Sequence, residues 1–244
     1  MPDAQLTILD WKTGTFVAPE HLLQLGGYAG ATLHQEDGVW HPWLEARPTQ
    51  AAVIHVGEDG CSVMQQANQA ELETATTKFL ELVDVFEWLV ARGNVTVPEN
   101  EAYRTNGHYL PSVTYILSHL MAKPKLLGWY AKMAKEGKDP NQIRDEKAAL
   151  GTRVHKLILF YLEGKEVDIS DAPEWLVKAW MHFERWARQV QLNPVWTETK
   201  VARWRADPQG REDALSYAGT LDCLAWCQLP DPVTERPNKE AARP

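Results

Sequence analysis

Leu6-Thr-Ile-Leu-Asp-Trp-Lys-Thr-Gly14 opens the chain with a strand, Leu6 to Asp10, that Thr13-Gly14-Thr15 turns. Side chains alternate along a strand, so Asp10 and Lys12 share one face and Trp11 points the other way. A carboxylate beside an ammonium suits phosphodiester hydrolysis: the acid holds a cation, and the lysine orients or deprotonates a water. The competing reading is a surface ion pair on an amphipathic strand, the commoner fate of an isolated D-x-K, because short motifs match by chance.

Downstream, Pro19 stands where a first helical turn takes proline, and Leu22, Leu23, Leu25 and Ala29 continue a helical pattern. Gln24 and Tyr28 lie one turn apart on that helix and offer hydrogen-bonding tips to one side, Tyr28 adding a flat face. Gly26 and Gly27 between them are poor helix formers that permit close packing. A half-exposed helix face is the plainer alternative. Ala51 to Val56 and Cys61 to Met64 read as a strand pair around Glu58-Asp59-Gly60, followed by a helix from Glu71 to Ala91. Residues 94–109 are polar and read as a linker. Helices are expected at Ser112–Ala122, Leu126–Lys135, Asp145–Glu163 and Pro173–Gln191, then strands at Val195–Arg203 and Ser216–Trp226. Residues 229–244, with four prolines and many charges, read as a disordered tail after a single domain spanning 1–228.

Two further pieces carry chemistry. In Gly219-Thr-Leu-Asp222, the aspartate lies in an apolar run (Leu221, Cys223, Leu224, Ala225, Trp226), where a carboxylate needs a partner or a cation. An edge-strand aspartate facing solvent is the alternative. In Gly151-Thr-Arg-Val-His155, on a helix with Leu150, Val154, Leu157, Ile158 and Tyr161 as its apolar stripe, Gly151 lies one turn before His155 and leaves it room to reach inward. A hydrogen-bonded helix histidine is the alternative there.

Together the four pieces resemble the RecB-like and phage-exonuclease branch of the PD-(D/E)XK nuclease superfamily. Its usual order is G-T-x-x-H, then G-T-x-D, then D-x-K-T-G, then Q-x-x-x-Y. Here GTRVH occupies 151–155, GTLD 219–222, DWKTG 10–14 and QLGGY 24–28, so the last two motifs come first. The order is that of a circular permutation, as though a hairpin between Trp226 and Leu6 had been opened and the old ends joined near 94–109. Such an opening leaves both strands free to pair. Exchange of the N-terminal segment between two chains would instead build the site in a homo-oligomer.

The resemblance implies a restriction-endonuclease-like α/β core, a central mixed sheet flanked by helices. It implies that Asp10, Asp222 and His155 ligate Mg²⁺ or Mn²⁺ with the Trp11 carbonyl. Lys12 would position the attacking water, Gln24 and Tyr28 would support Lys12 or the DNA strand, and Glu198 would serve a second cation. A solvent-facing glutamate is the alternative for Glu198. The activity implied is hydrolysis of DNA, by an exonuclease in recombination or repair, with a recombination or single-strand-annealing protein as partner in phage-type members. A catalytically inactive DNA-binding or assembly subunit with the same fold is the rival. A hydrolase of another phosphate ester is a third reading.

Composition constrains the rest. The chain has 244 residues, 44% of them hydrophobic and 24% charged, enough for a buried core without disulfides or metal. A formal charge of −8 means that any DNA contact needs a local basic surface. Lys123, Lys125, Lys132, Lys135 and Lys138 on one side, and Arg203, Arg205 and Arg211 on the other, are candidates; solvated helix ends are the alternative. Trp129 and Trp204 are candidates for base stacking, though core packing is the better use of most of the 11 tryptophans. Some relatives hold an iron–sulfur cluster through four cysteines. This chain has three, and Cys223 and Cys227 would stand ~13 Å apart on a regular strand, so no cluster is expected. Without an early apolar run or a long apolar stretch, a cytoplasmic protein with no membrane span is expected.

Overall fold

The computed structural model describes residues 4–14, 17–99, 102–105, 108–121, 124–204 and 215–230. In chain order the elements are β1 (Gln5–Lys12), α1 (Pro19–Ala29), β2 (Leu33–Glu36), β3 (Val39–Pro42), β4 (Gln50–Gly57), β5 (Gly60–Ala67) and α2 (Gln69–Ala91). Then come β6 (Ala102–Thr105), β7 (His108–Pro111), α3 (Val113–Leu120), α4 (Pro124–Lys135), α5 (Pro140–Leu162), α6 (Glu174–Gln189), β8 (Asn193–Trp204) and β9 (Leu215–Cys227).

β1 has apolar residues on both faces, which places it inside the sheet rather than at an edge. Leu6 and Ile8 enter one apolar layer, while Leu9 and Trp11 enter the other. β4 divides the same way, Ala51 and Val53 against Ala52, Ile54 and Val56. The result is a seven-stranded mixed sheet in the order β3-β2-β8-β9-β1-β4-β5, in which β1 runs parallel to β4 and antiparallel to β9. The fold is therefore α/β, with helices on both faces.

α1, α2 and α3 cover one face, with Leu25, Phe79, Phe86, Val113 and Ile116 as anchors. α1 and α2 meet at Gly26, where an added Cβ would lie 2.5 Å from the carbonyl carbon of Ala75; the helices touch backbone to backbone. On the other face, Val154, Ile158 and Leu162 of α5 and Trp180, Phe183 and Trp186 of α6 close over Trp11. Trp11 meets Phe183 and Trp186 edge-on, with ring centroids 5.5 and 5.9 Å apart. Each such fully buried apolar side chain contributes about 1.5–3 kcal/mol.

Several elements differ from the sequence expectation. The stretch read as a linker, 94–109, contains strand β6 and the first half of β7, which pair with each other and hold Leu110 against Ala202 and Ala218. β2 and β3 form a further hairpin around Asp37 and Gly38, both at positive φ. α5 starts at Pro140 rather than Asp145, because Asp139 caps it by accepting from the amides of Asn141 and Gln142. At the other end Leu229, read as the first tail residue, packs against the α5–α6 layer, and residues 231–244 lie outside the described residues. No helix among the described residues is long and apolar enough to cross a membrane.

Candidate functional site

The site grows from the place where β1 and β9 part. Their ladder runs from Gln5 opposite Cys227 to Leu9 opposite Cys223 and then stops. One step further, Asp10 and Asp222 face each other across the gap. The Trp11 amide, which a continuing ladder would have used, donates instead to Asp222 Oδ2 at 2.8 Å. On the other side of β9, Thr197 pairs with Cys223 and Thr199 with Leu221, which puts Glu198 opposite Asp222. Three adjacent strands thus line up Asp10, Asp222 and Glu198. The strand geometry is disturbed here. Glu198 has φ +45°, a left-handed conformation that costs a glutamate about 1–3 kcal/mol and clusters at functional sites.

His155 reaches this row from α5. Its Nε2 lies 3.0 Å from the Trp11 carbonyl oxygen. A carbonyl can only accept, so Nε2 carries the hydrogen and Nδ1 presents a lone pair, 4.0 Å from Asp222 Oδ2. Burial pushes the imidazole below its ordinary pKa, the Trp11 carbonyl works against that shift, and Lys12 adds to it. Gly151 keeps α5 close: a Cβ there would lie 3.2 Å from Thr13 Oγ1, a side-chain neighbour rather than a backbone one.

Asp10 is 2% exposed and anchors the other half of the site. Its Oδ1 accepts from Lys12 Nζ at 3.1 Å and from Gln24 Nε2 at 3.3 Å. Gln24 Nε2 also donates to the Tyr28 hydroxyl at 2.9 Å, so α1 supplies a two-residue brace. Oδ2 of Asp10 lies 2.8 Å from Lys12 Nζ but makes no well-angled hydrogen bond, leaving a buried carboxylate oxygen poorly satisfied. Tyr28 is itself buried, and burial followed by the nearby Asp10 charge holds its hydroxyl protonated far above the usual range. Its ring packs on Gly219, where a Cβ would fall 2.7 Å from Tyr28 Cε1. The tyrosine therefore braces the site and does not offer a flat face to a nucleobase.

The donor set fits a hard divalent cation. His155, Glu198 and Asp222 each offer a ligand atom, all within 4.8 Å of one another, and Asp10 lies close enough for its charge to act on Asp222 and His155. Ligands on one such cation sit at about 2.0–2.6 Å from it, so small side-chain adjustments suffice. The charges point the same way. Burial and the neighbouring Asp10 push Asp222 up to about 8, against the Trp11 amide, which lowers it. Partial burial raises Glu198, the most exposed of the three, as well. Crowded acids that resist ionisation alone are the groups a cation would relieve.

Asp10, Lys12, Gln24, Tyr28, His155 and Asp222, named from sequence, thus meet at one place, and Glu198 joins them. The Trp11 carbonyl is at hand but engaged by the His155 ring. The basic candidates are more dispersed. Arg203 is spent on the Gly30 carbonyl at the end of α1, and Lys132 and Lys138 both pair with Glu136. Lys123, Arg205 and Arg211 lie outside the described residues, as do the side chains of Lys125 and Trp204. Trp129 packs edge-on against Tyr130.

Two contributors were not anticipated. Tyr103, in the stretch read as linker, brings its hydroxyl within 2.8 Å of Thr220 Oγ1 and close enough to Glu198 for that charge to raise its pKa, after burial. His55 bridges the Gly14 carbonyl (3.3 Å) and the Asp59 carboxylate (2.9 Å), tying down the turn that follows Lys12. The Asn106-Gly107 dipeptide, a hairpin signal between two short aromatic-bearing runs, was the available clue to Tyr103. Comparison with known proteins adds no family: no family model, no curated protein and no solved structure matches the chain.

Proposed function

We propose that this chain is a Mg²⁺- or Mn²⁺-dependent deoxyribonuclease of the PD-(D/E)XK type, with its motifs in circularly permuted order. The observation that carries the reading is the convergence of four short motifs, drawn from opposite ends of the chain, on one acidic row with a single lysine and a single histidine. Further support comes from the neighbouring course of β1 and β9, with Leu6 opposite Trp226, as the opened-hairpin relation requires.

A bound cation would be held by Asp10, Asp222 and the Nδ1 of His155, with Glu198 as a further ligand, and would polarise the phosphoryl group. The chain's own residues do the rest. Gln24 holds Oδ1 of Asp10, and the Tyr28 hydroxyl holds Gln24. Lys12, half-exposed beside Asp10, donates to the attacking water and orients it, while the water's proton passes to bulk solvent. The water oxygen adds to phosphorus as the bond to the leaving sugar oxygen breaks, and that oxygen is protonated in turn. Attack on the ends of linear duplexes, in recombination or repair, is the role that fits the resemblance.

The test uses labelled linear duplex DNA with Mg²⁺. The parent degrades it, and Lys12→Ala and Asp222→Ala, both still folded by circular dichroism, do not. DNA bound by all three proteins and cut by none would replace this reading with that of an inactive DNA-binding subunit.

A further inference from the structure

α5 is 23 residues long, yet only its C-terminal half packs on the sheet. Val154, Ile158 and Leu162 are buried, whereas every residue from Arg144 to Leu150 is exposed. α4 lies along this projecting half, with Met133 buried and Arg144 donating to the Tyr130 hydroxyl at 3.4 Å. The two helices make an arm that starts at the site and stands clear of the sheet.

The arm is charged against the trend of the molecule. Between Pro124 and Lys156 eight lysines and arginines stand against four aspartates and glutamates, in a chain whose formal charge is −8. The placement is as telling as the sign. Lys147, Gly151 and His155 recur at intervals of four and form one row along α5. Gly151 faces Thr13 and His155 touches the Trp11 carbonyl, so the row looks toward the catalytic end of β1. Lys147 lies ~12 Å up the helix from His155, with an exposed side chain engaged in no ion pair among the described residues.

We propose that this arm receives the backbone of a DNA duplex and that Lys147 holds a phosphate of the strand being cut, a few nucleotides from the bond at the acidic row. The proposal rests on the reading of that row as a DNA-cleaving centre. An acidic protein repels a polyanion at long range, so attraction has to come from a local basic surface beside the site. Each phosphate so paired releases counterions, which gives the contact a salt signature. An acidic polypeptide is the other polyanion that such a surface could take.

The experiment measures binding of the full chain to a labelled duplex by anisotropy, with EDTA to prevent cleavage, between about 50 and 200 mM salt. Cleavage is assayed separately with Mg²⁺. Lys147→Glu is expected to weaken duplex binding at least ~10-fold and to reduce the salt slope by about one unit, while Lys147→Arg keeps both near the parent. Lys78→Glu, on the opposite helical layer, serves as the control and is expected to leave binding unchanged. Equal binding by Lys147→Glu and the parent, or equal weakening by Lys78→Glu, overturns the proposal. So does a parent that binds polyglutamate and no duplex. Lys147-dependent binding without cleavage under Mg²⁺ overturns only the nuclease reading. Cleavage with no dependence of binding on Lys147 overturns only the arm.

Discussion

Replacing Gly219 by alanine tests whether the brace behind Asp10 matters. Gly219 lies within β9 opposite Val201, and its φ is not in the left-handed region, so alanine suits the backbone. What is missing is room. The new Cβ would lie 2.7 Å from Tyr28 Cε1, 3.3 Å from Tyr28 Cδ1 and 3.2 Å from Val113 Cγ2. Carbon atoms rest at about 3.5–4.0 Å, so the ring has to retreat by ~1 Å. It is 4% exposed, and α1 behind it is already in backbone contact with α2. Overpacking of this kind costs about 1–3 kcal/mol. For a domain of this size that is roughly 2–12 °C in melting temperature. The same displacement travels through the Tyr28–Gln24–Asp10 hydrogen bonds, and a misplacement of ~1 Å at a reacting group costs up to ~100-fold in rate. Melting curves and initial rates on linear duplex, taken well below the variant's melting temperature, read the two effects separately. Tyr28→Phe removes the hydroxyl without crowding and is expected to cost about 2–10-fold in rate, the value of one hydrogen bond. If Gly219→Ala melts early but cuts at the parent's rate, the brace does not position Asp10. If it matches the parent in both, the packing argument is wrong.

Other outcomes follow from the same geometry. Mn²⁺ or Mg²⁺ at ~100 times its dissociation constant is expected to stabilise the protein by about 2.7 kcal/mol, read as a thermal shift. Asp222→Asn should show little shift, and an undiminished one would remove Asp222 from the ligand set. In EDTA, Asp222 and Glu198 should lower stability as pH rises from about 4 to about 8, because their folded-state pKa values are raised above the unfolded ones, while the lowered pKa of His155 opposes them. The folded state then binds the extra protons, and their contribution is complete below the unfolded values and lost as pH passes the folded ones. A melting temperature that falls no more steeply in the parent than in Asp222→Asn across that window contradicts the assignment. Gly26→Ala, with its Cβ 2.5 Å from an Ala75 backbone atom, should destabilise at least as much as Gly219→Ala, since backbone cannot step aside. Equal urea midpoints for Gly26→Ala and the parent would refute the helix contact.

The parts of the site that sequence discloses are those with a local pattern. β1 announces itself as a short, mostly apolar run closed by Thr13-Gly14-Thr15, and the four motifs through fixed spacings that survive the rearranged order. The neighbouring course of β1 and β9 is different: no periodicity links Trp11 to Asp222, 211 positions away, and only the motif set as a whole pointed to it. β2 and β3 stayed hidden because Leu33-His-Gln-Glu and Val39-Trp-His-Pro lack clean alternation, although Asp37-Gly38 is a hairpin signal. The first turns of α5 have no apolar stripe because they stand clear of the sheet, and here the cap at Asp139 was the better guide. The left-handed conformation of Glu198 leaves no trace in composition at all, since it is imposed by tertiary context.

The contact between Trp11 and Asp222 also sets a timetable for the chain. With 211 positions between Trp11 and Asp222, synthesis delivers Asp10 and Lys12 long before the aspartate that completes their cluster. A ribosome-bound intermediate therefore carries an unfinished acidic cluster until β9 inserts beside β1. Closing so long a loop is entropically demanding and slow, so the cleavage proposed above should set in during refolding with that final strand insertion rather than with the earlier burial of α1 against α2.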